Sequence, residues 1–108
     1  MRDVMSLKSP KLHVYLVWVP MLDGDTADVA RLEASLYPDK RISHYWDDGG
    51  KLMTEMGRAL GLPQAWDVYI LYDRKARTPT FWMHQLDGVK AAPWLDSMKL
   101  RGKVEDLL

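Results

Sequence analysis

The chain has no cysteine in its 108 residues. A thiolate is the nucleophile of disulfide exchange, so this chain alone carries out no thiol–disulfide chemistry. Charge of one sign is also missing. Fifteen Lys and Arg balance fifteen Asp and Glu, and neither sign forms a long block, so no electrostatic footprint for DNA or RNA is expected. No apolar run approaches the roughly 20 residues of a membrane span. Residues 1–10 lack the continuous apolar stretch of a secretory signal. Residues 14–22 are apolar enough to resemble one, but Asp23 and Asp25 follow at once without a small-residue cleavage site. Cytoplasm is therefore the expected compartment, and the missing cysteines fit its reducing conditions. Internal repeats and low-complexity segments are absent as well.

What is present suits one small α/β domain. Hydrophobic residues make up 47% of the chain, enough to bury a core without disulfides or a metal. Residues 1–10 read as a polar arm ending at Pro10, and residues 11–108 as a single domain. Leu12-His-Val-Tyr-Leu-Val-Trp-Val19 is β-branched and aromatic, and its near-continuous apolarity predicts a strand covered on both faces. Pro20 stops it. Asp23, Asp25 and Thr26 supply helix caps, and Val29, Leu32 and Leu36 recur at helical spacing. Arg41-Ile-Ser-His-Tyr-Trp46 reads as a second strand, and Asp47-Asp48-Gly49-Gly50 as a turn with a cap built in.

Leu52, Met53, Met56, Ala59 and Leu60 then form one helical face. Gly61 is placed as the left-handed residue ending that helix, with Leu62 as its apolar contact and Pro63 barring continuation. Trp66 to Tyr72 and Thr80 to Leu86 predict an antiparallel strand pair. Pro93 opens a last helix that Gly102 weakens or splits. The element order β-α-β-α-β-β-α predicts a parallel first pair through a right-handed crossover, within a central mixed four-stranded sheet.

The strings Val17-Trp-Val-Pro-Met-Leu22, Tyr45-Trp-Asp47, Leu60-Gly-Leu62, Ala65-Trp-Asp-Val-Tyr69 and Trp82-Met-His-Gln-Leu86 resemble a group of bacterial thioredoxin-like proteins. That resemblance spans about residues 12–86 and implies a thioredoxin-like fold rather than an activity. The redox members carry Cys-x-x-Cys after strand one, where this chain has Pro20-Met-Leu-Asp-Gly-Asp25. They carry a cis-proline before strand three, where this chain has Ala65-Trp66. No redox residue carries over.

Sites in open α/β sheets sit at the C-terminal ends of parallel strands. That edge would gather Trp18, Asp23, Asp25, Trp46, Asp47, Asp48, Trp66 and Asp67. The ligand-binding candidates are Trp18, Asp23, Trp46, Asp47, Asp48, Trp66 and Asp67, as a polar-aromatic pocket for a protein or small-molecule ligand. Against it stands a plainer reading, in which the aspartates cap helices and Asp67 steadies the loop around Trp66. No catalytic residue, metal ligand or cofactor is expected. His13, His44 and His84 lie on three strands without ligand spacing, and no serine sits in a nucleophile elbow.

The expected function is a redox-inactive thioredoxin-like binding or interaction module. The alternative is a small enzyme using the carboxylates of Asp47, Asp48 and Asp67, and His44, as acid and base. An uncovered edge strand or exposed tryptophans would favour a homodimer. Neither nucleic acid nor membrane is expected as a partner.

Overall fold

Strand β1 (Val14–Trp18) and strand β2 (Ile42–Trp46) pair in parallel, with Val14 opposite Ile42 and Trp18 opposite Trp46. The computed structural model describes residues 2–21 and 24–108. These fall into two units, Leu12–Trp66 and a second formed by residues 2–11 with Asp67–Leu108. The protein is a mixed α/β structure in which helices accompany two small sheets.

In the first unit the crossover between β1 and β2 carries helix α2 (Ala27–Ala34). Thr26 caps it, its hydroxyl accepting from the amide of Val29 at 3.2 Å. The helix faces the opposite way from the expected one. Ala30 is buried, while Val29, Leu32 and Leu36 are exposed, Leu32 at 72%. At 3.6 residues per turn, Ala27, Ala30 and Ala34 share the face opposite Leu32. Two apolar stripes compete on one short helix, and the small one takes the inside.

A glycine turn leads from β2 into helix α3 (Lys51–Leu60). Gly49 and Gly50 both adopt left-handed φ near +70°, a region that costs a side chain energy. Gly61 ends α3 at φ +74°. The Leu62 amide reaches back to the Gly57 carbonyl at 2.7 Å, and the Gly61 amide to Arg58 at 3.3 Å. This is the Schellman stop that the Gly-Leu-Pro string predicts. Met53 is buried as expected, but Leu52 and Ala59 lie exposed. Gly57 is buried instead, because the chain after the helix returns across it. A Cβ there would lie 2.9 Å from both the Cα of Gln64 and the carbonyl of Leu62.

In the second unit β3 (Val68–Leu71) and β4 (Phe81–His84) form the expected antiparallel pair. The single mixed four-stranded sheet anticipated from the element order appears as two two-stranded sheets. Both ladders join strands linked by a single connection, the pairings with the least loop entropy to overcome. Helix α1 (Arg2–Met5) packs on helix α4 (Ser97–Leu107), with Val4, Leu7, Leu100 and Val104 buried. The hydroxyl of Ser97 donates to Asp3, and Arg101 donates to the hydroxyl of Ser6 at 3.0 Å. Asp96 caps α4 by accepting from Lys99, and the helix runs through Gly102 without a break. Among the described residues no helix is long and apolar enough to cross a membrane.

Candidate functional site

Side chains alternate along a strand, so Leu16 and Trp18 share one face of the first sheet with His44 and Trp46. Helix α2 lies over that face, presenting alanines. Between them opens a cleft of about 200 Å³. Trp18, His44 and Trp46 line one wall, and Ala27, Ala30 and Ala34 the other, with Arg31 and Tyr45 also in the lining.

The aromatic wall is held by its own hydrogen bonds. Trp18 Nε1–H donates to His44 Nδ1 at 3.2 Å. The other ring nitrogen, Nε2, lies 3.3 Å from the carbonyl oxygen of Tyr37. An indole N–H only donates and a carbonyl only accepts, so both contacts are satisfied together by one form of the ring. That form is neutral imidazole with its proton on Nε2. Ring centroids of Trp18 and His44 lie 6.2 Å apart, 17° from parallel, and Tyr37 completes the cluster at 6.4 and 6.5 Å.

The opposite face of the same sheet is more open. Tyr15 and Tyr45 stack at 6.1 Å, both exposed. With Val17, Trp46, Asp47 and Leu52 they line a hollow of about 440 Å³, so Trp46 borders both spaces.

Of the residues singled out from the sequence, Trp18 and Trp46 are brought together as a cross-strand pair at the C-terminal ends of β1 and β2, both in the cleft. Asp23 lies outside the described residues. Asp47 is buried, and both carboxylate oxygens are already engaged. Oδ1 accepts from the Leu52 amide at 2.9 Å and Oδ2 from the Met53 amide at 2.8 Å. A carboxylate at the positive end of α3 satisfies two amides that the helix itself leaves open.

Asp25 accepts from the Met21 amide at 3.0 Å and ties down the turn after β1. Asp48 is exposed in the glycine turn. Trp66 is partly exposed at the end of the first unit and does not line the cleft. Asp67 begins the second unit, exposed, at the left-handed φ of +50° that aspartate tolerates better than most residues. Its carbonyl accepts from the Gln85 amide at 3.0 Å. The carboxylates are therefore not the common feature of the site; the aromatic residues are.

Arg31 and the alanine face were missed from sequence. The available signal was Ala27, Ala30 and Ala34 at the i, i+3, i+7 spacing, hidden by the louder leucine stripe. Arg31 pairs with Asp28 at 3.2 Å, both well exposed. The other cation of note in this unit, Arg41, lies outside the cleft. Its pKa is raised above the ordinary arginine value, chiefly by its hydrogen bond to Asp39 and further by that carboxylate's charge, against an opposing desolvation. Among the described residues no three His, Asp or Glu side chains group as a metal site would require. No protein-family model, curated protein or solved structure matches this chain.

Proposed function

We propose that the protein is a redox-inactive, thioredoxin-like binding module whose binding site is the cleft between α2 and the Trp18–His44–Trp46 wall. On this reading the chain shares the fold of the thioredoxin-like proteins that its Ala-Trp-Asp-Val-Tyr and Trp-Met-His-Gln-Leu strings resemble. The observation that carries the proposal is the wall itself. Two tryptophans stand in register at the ends of parallel strands, one fixed by a hydrogen bond to His44, and a helix lined with methyl groups leaves room beside them. Pre-positioned aromatic surface with few polar groups is the usual character of a small-molecule site. Use of Asp47 as an acid or base finds no support, since both of its oxygens are engaged by backbone amides.

Indole tests the proposal. Titration into ¹⁵N-labelled protein should shift the indole N–H peaks of Trp18 and Trp46, with a Kd on the order of 1 mM for so small a probe. Ala34→Leu, which fills the cleft from the helix side, should abolish the shifts. Unmoved peaks up to the solubility limit of indole would remove the proposal, as would shifts that persist unchanged in Ala34→Leu.

A homodimer is the second reading, favoured by exposed Val29 and Leu32 on the outer face of α2 and Leu36 in the turn just past its end. Sedimentation equilibrium should then show self-association that Leu32→Glu disrupts. A monomer at every concentration from micromolar to millimolar would remove it.

A further inference from the structure

Resting on the cleft reading above, we infer that the cleft selects a small aromatic carboxylic acid, its ring against the tryptophan wall and its carboxylate on Arg31. Three observations lead there. The first is size. About 200 Å³ lies below the 300–1,000 Å³ typical of drug-sized sites, which suits a single ring system rather than a nucleotide or a folded peptide.

The second is the donor inventory. Trp18 spends its indole N–H on His44, and His44 spends its own on Tyr37. Those two groups offer a ligand ring surface but no hydrogen. Tyr45, whose ring stacks on Tyr15, keeps a phenol O–H that both donates and accepts. Among the described residues, the side-chain donors of the lining that remain are the guanidinium of Arg31, the indole N–H of Trp46 and the hydroxyl of Tyr45. All three can serve an acceptor, and only Arg31 brings charge to it.

The third is charge. Arg31 is the one charged residue in the described lining, and no carboxylate accompanies it there. Its pairing with Asp28 uses one nitrogen, Nη1, in a fully hydrated setting, where such pairs are weak. Most of its N–H fork stays open to a carboxylate, which guanidinium grips through two parallel hydrogen bonds. The alanine methyls opposite let a flat ring approach the wall closely. A cation would meet Arg31 with like charge, and a neutral ring would leave the guanidinium unused.

Three probes sharing one ring system separate this inference from the reading it rests on: indole-3-acetate, indole and tryptamine, titrated against wild type, Arg31→Gln and Arg31→Lys at low salt. The expected result is about tenfold tighter binding of indole-3-acetate than of indole, from charge-assisted hydrogen bonds, with tryptamine weakest. Arg31→Gln should collapse the preference for the acid, Arg31→Lys should retain part of it, and added salt should weaken it. Arg31 is exposed on α2, and unchanged indole peaks of Trp82 and Trp94 would confirm that the second unit stays folded in each variant. If indole shifts the Trp18 and Trp46 peaks but the acid is no tighter, or if the preference survives Arg31→Gln, the inference is overturned while the cleft stands. Tightest binding by tryptamine also overturns it. If none of the three probes moves those peaks, both fall together.

Discussion

Each unit of the molecule sets a strand histidine beside tryptophan, and the two put the pair to different ends. In the second unit His84 is 1% exposed. Its Nδ1 accepts from the Leu86 amide at 3.0 Å, and its Nε2 lies 2.8 Å from the Ala92 carbonyl. Its own amide and carbonyl bond to Pro93 and Leu95, and Trp82 and Trp94 pack about the ring, each at 5.8 Å. Every polar atom of the residue is tied to main chain, so His84 clasps the segment ahead of α4 onto β4. In the first unit His44 is only half-buried, and its Nδ1 bonds a side chain, the indole of Trp18. A histidine bound to backbone on all sides closes a core. One bound to a neighbouring side chain orients that neighbour.

That contrast can be broken by substitution. His84→Ala should have the largest effect, about 3 kcal/mol of stability lost in urea unfolding, because it opens a cavity and strands a buried amide and carbonyl. A loss no greater than for His44→Ala would show that the clasp is not structural. Asp47→Ala comes next at about 1–2 kcal/mol, the cost of an N-terminal cap. Asp47→Asn, which keeps one acceptor, should recover part of that by the same unfolding measurement.

His44→Ala should cost about 1 kcal/mol or less. Its signature is spectroscopic: the Trp18 indole N–H peak moves and exchanges faster with solvent, while Trp82 and Trp94 stay in place. Leu32→Ser should be smallest, within about 0.5 kcal/mol, as for an exposed position. A loss of 2 kcal/mol or more would place the leucine stripe, rather than the alanines, against the sheet.

How much of this was legible in the sequence depended on whether the deciding interaction was local. Gly61-Leu-Pro63 announces the end of α3 because a Schellman stop is written within six residues. The parallel and antiparallel pairings follow from element order and connection, and Trp18 and Trp46 follow from the ends of the parallel strands. The orientation of α2 does not, because leucine and alanine stripes on one helix both satisfy the helical period and only packing distance chooses between them. Asp47 capping amides five and six residues ahead needs the paired glycines 49 and 50 to fold the turn, and spacing tables expect a cap nearer the helix. Gly57 and His84 owe their environments to chain segments that return from elsewhere in their units. Nothing in the immediate string marks them.

The strands are also shorter than their apolar runs, since Leu12, Val19 and Leu86, buried or half-buried, continue the pattern beyond the hydrogen-bonded ladders. Burial extends past pairing there, and hydrophobicity reports the former.

The most direct measurement follows the tryptophan indole N–H peaks in one titration with indole-3-acetate. Saturable shifts of Trp18 and Trp46, with Trp82 and Trp94 unmoved, are the expected outcome. Shifts centred on the second pair, or no saturable shift at all, would contradict the assignment of the open aromatic wall as the place where this protein binds.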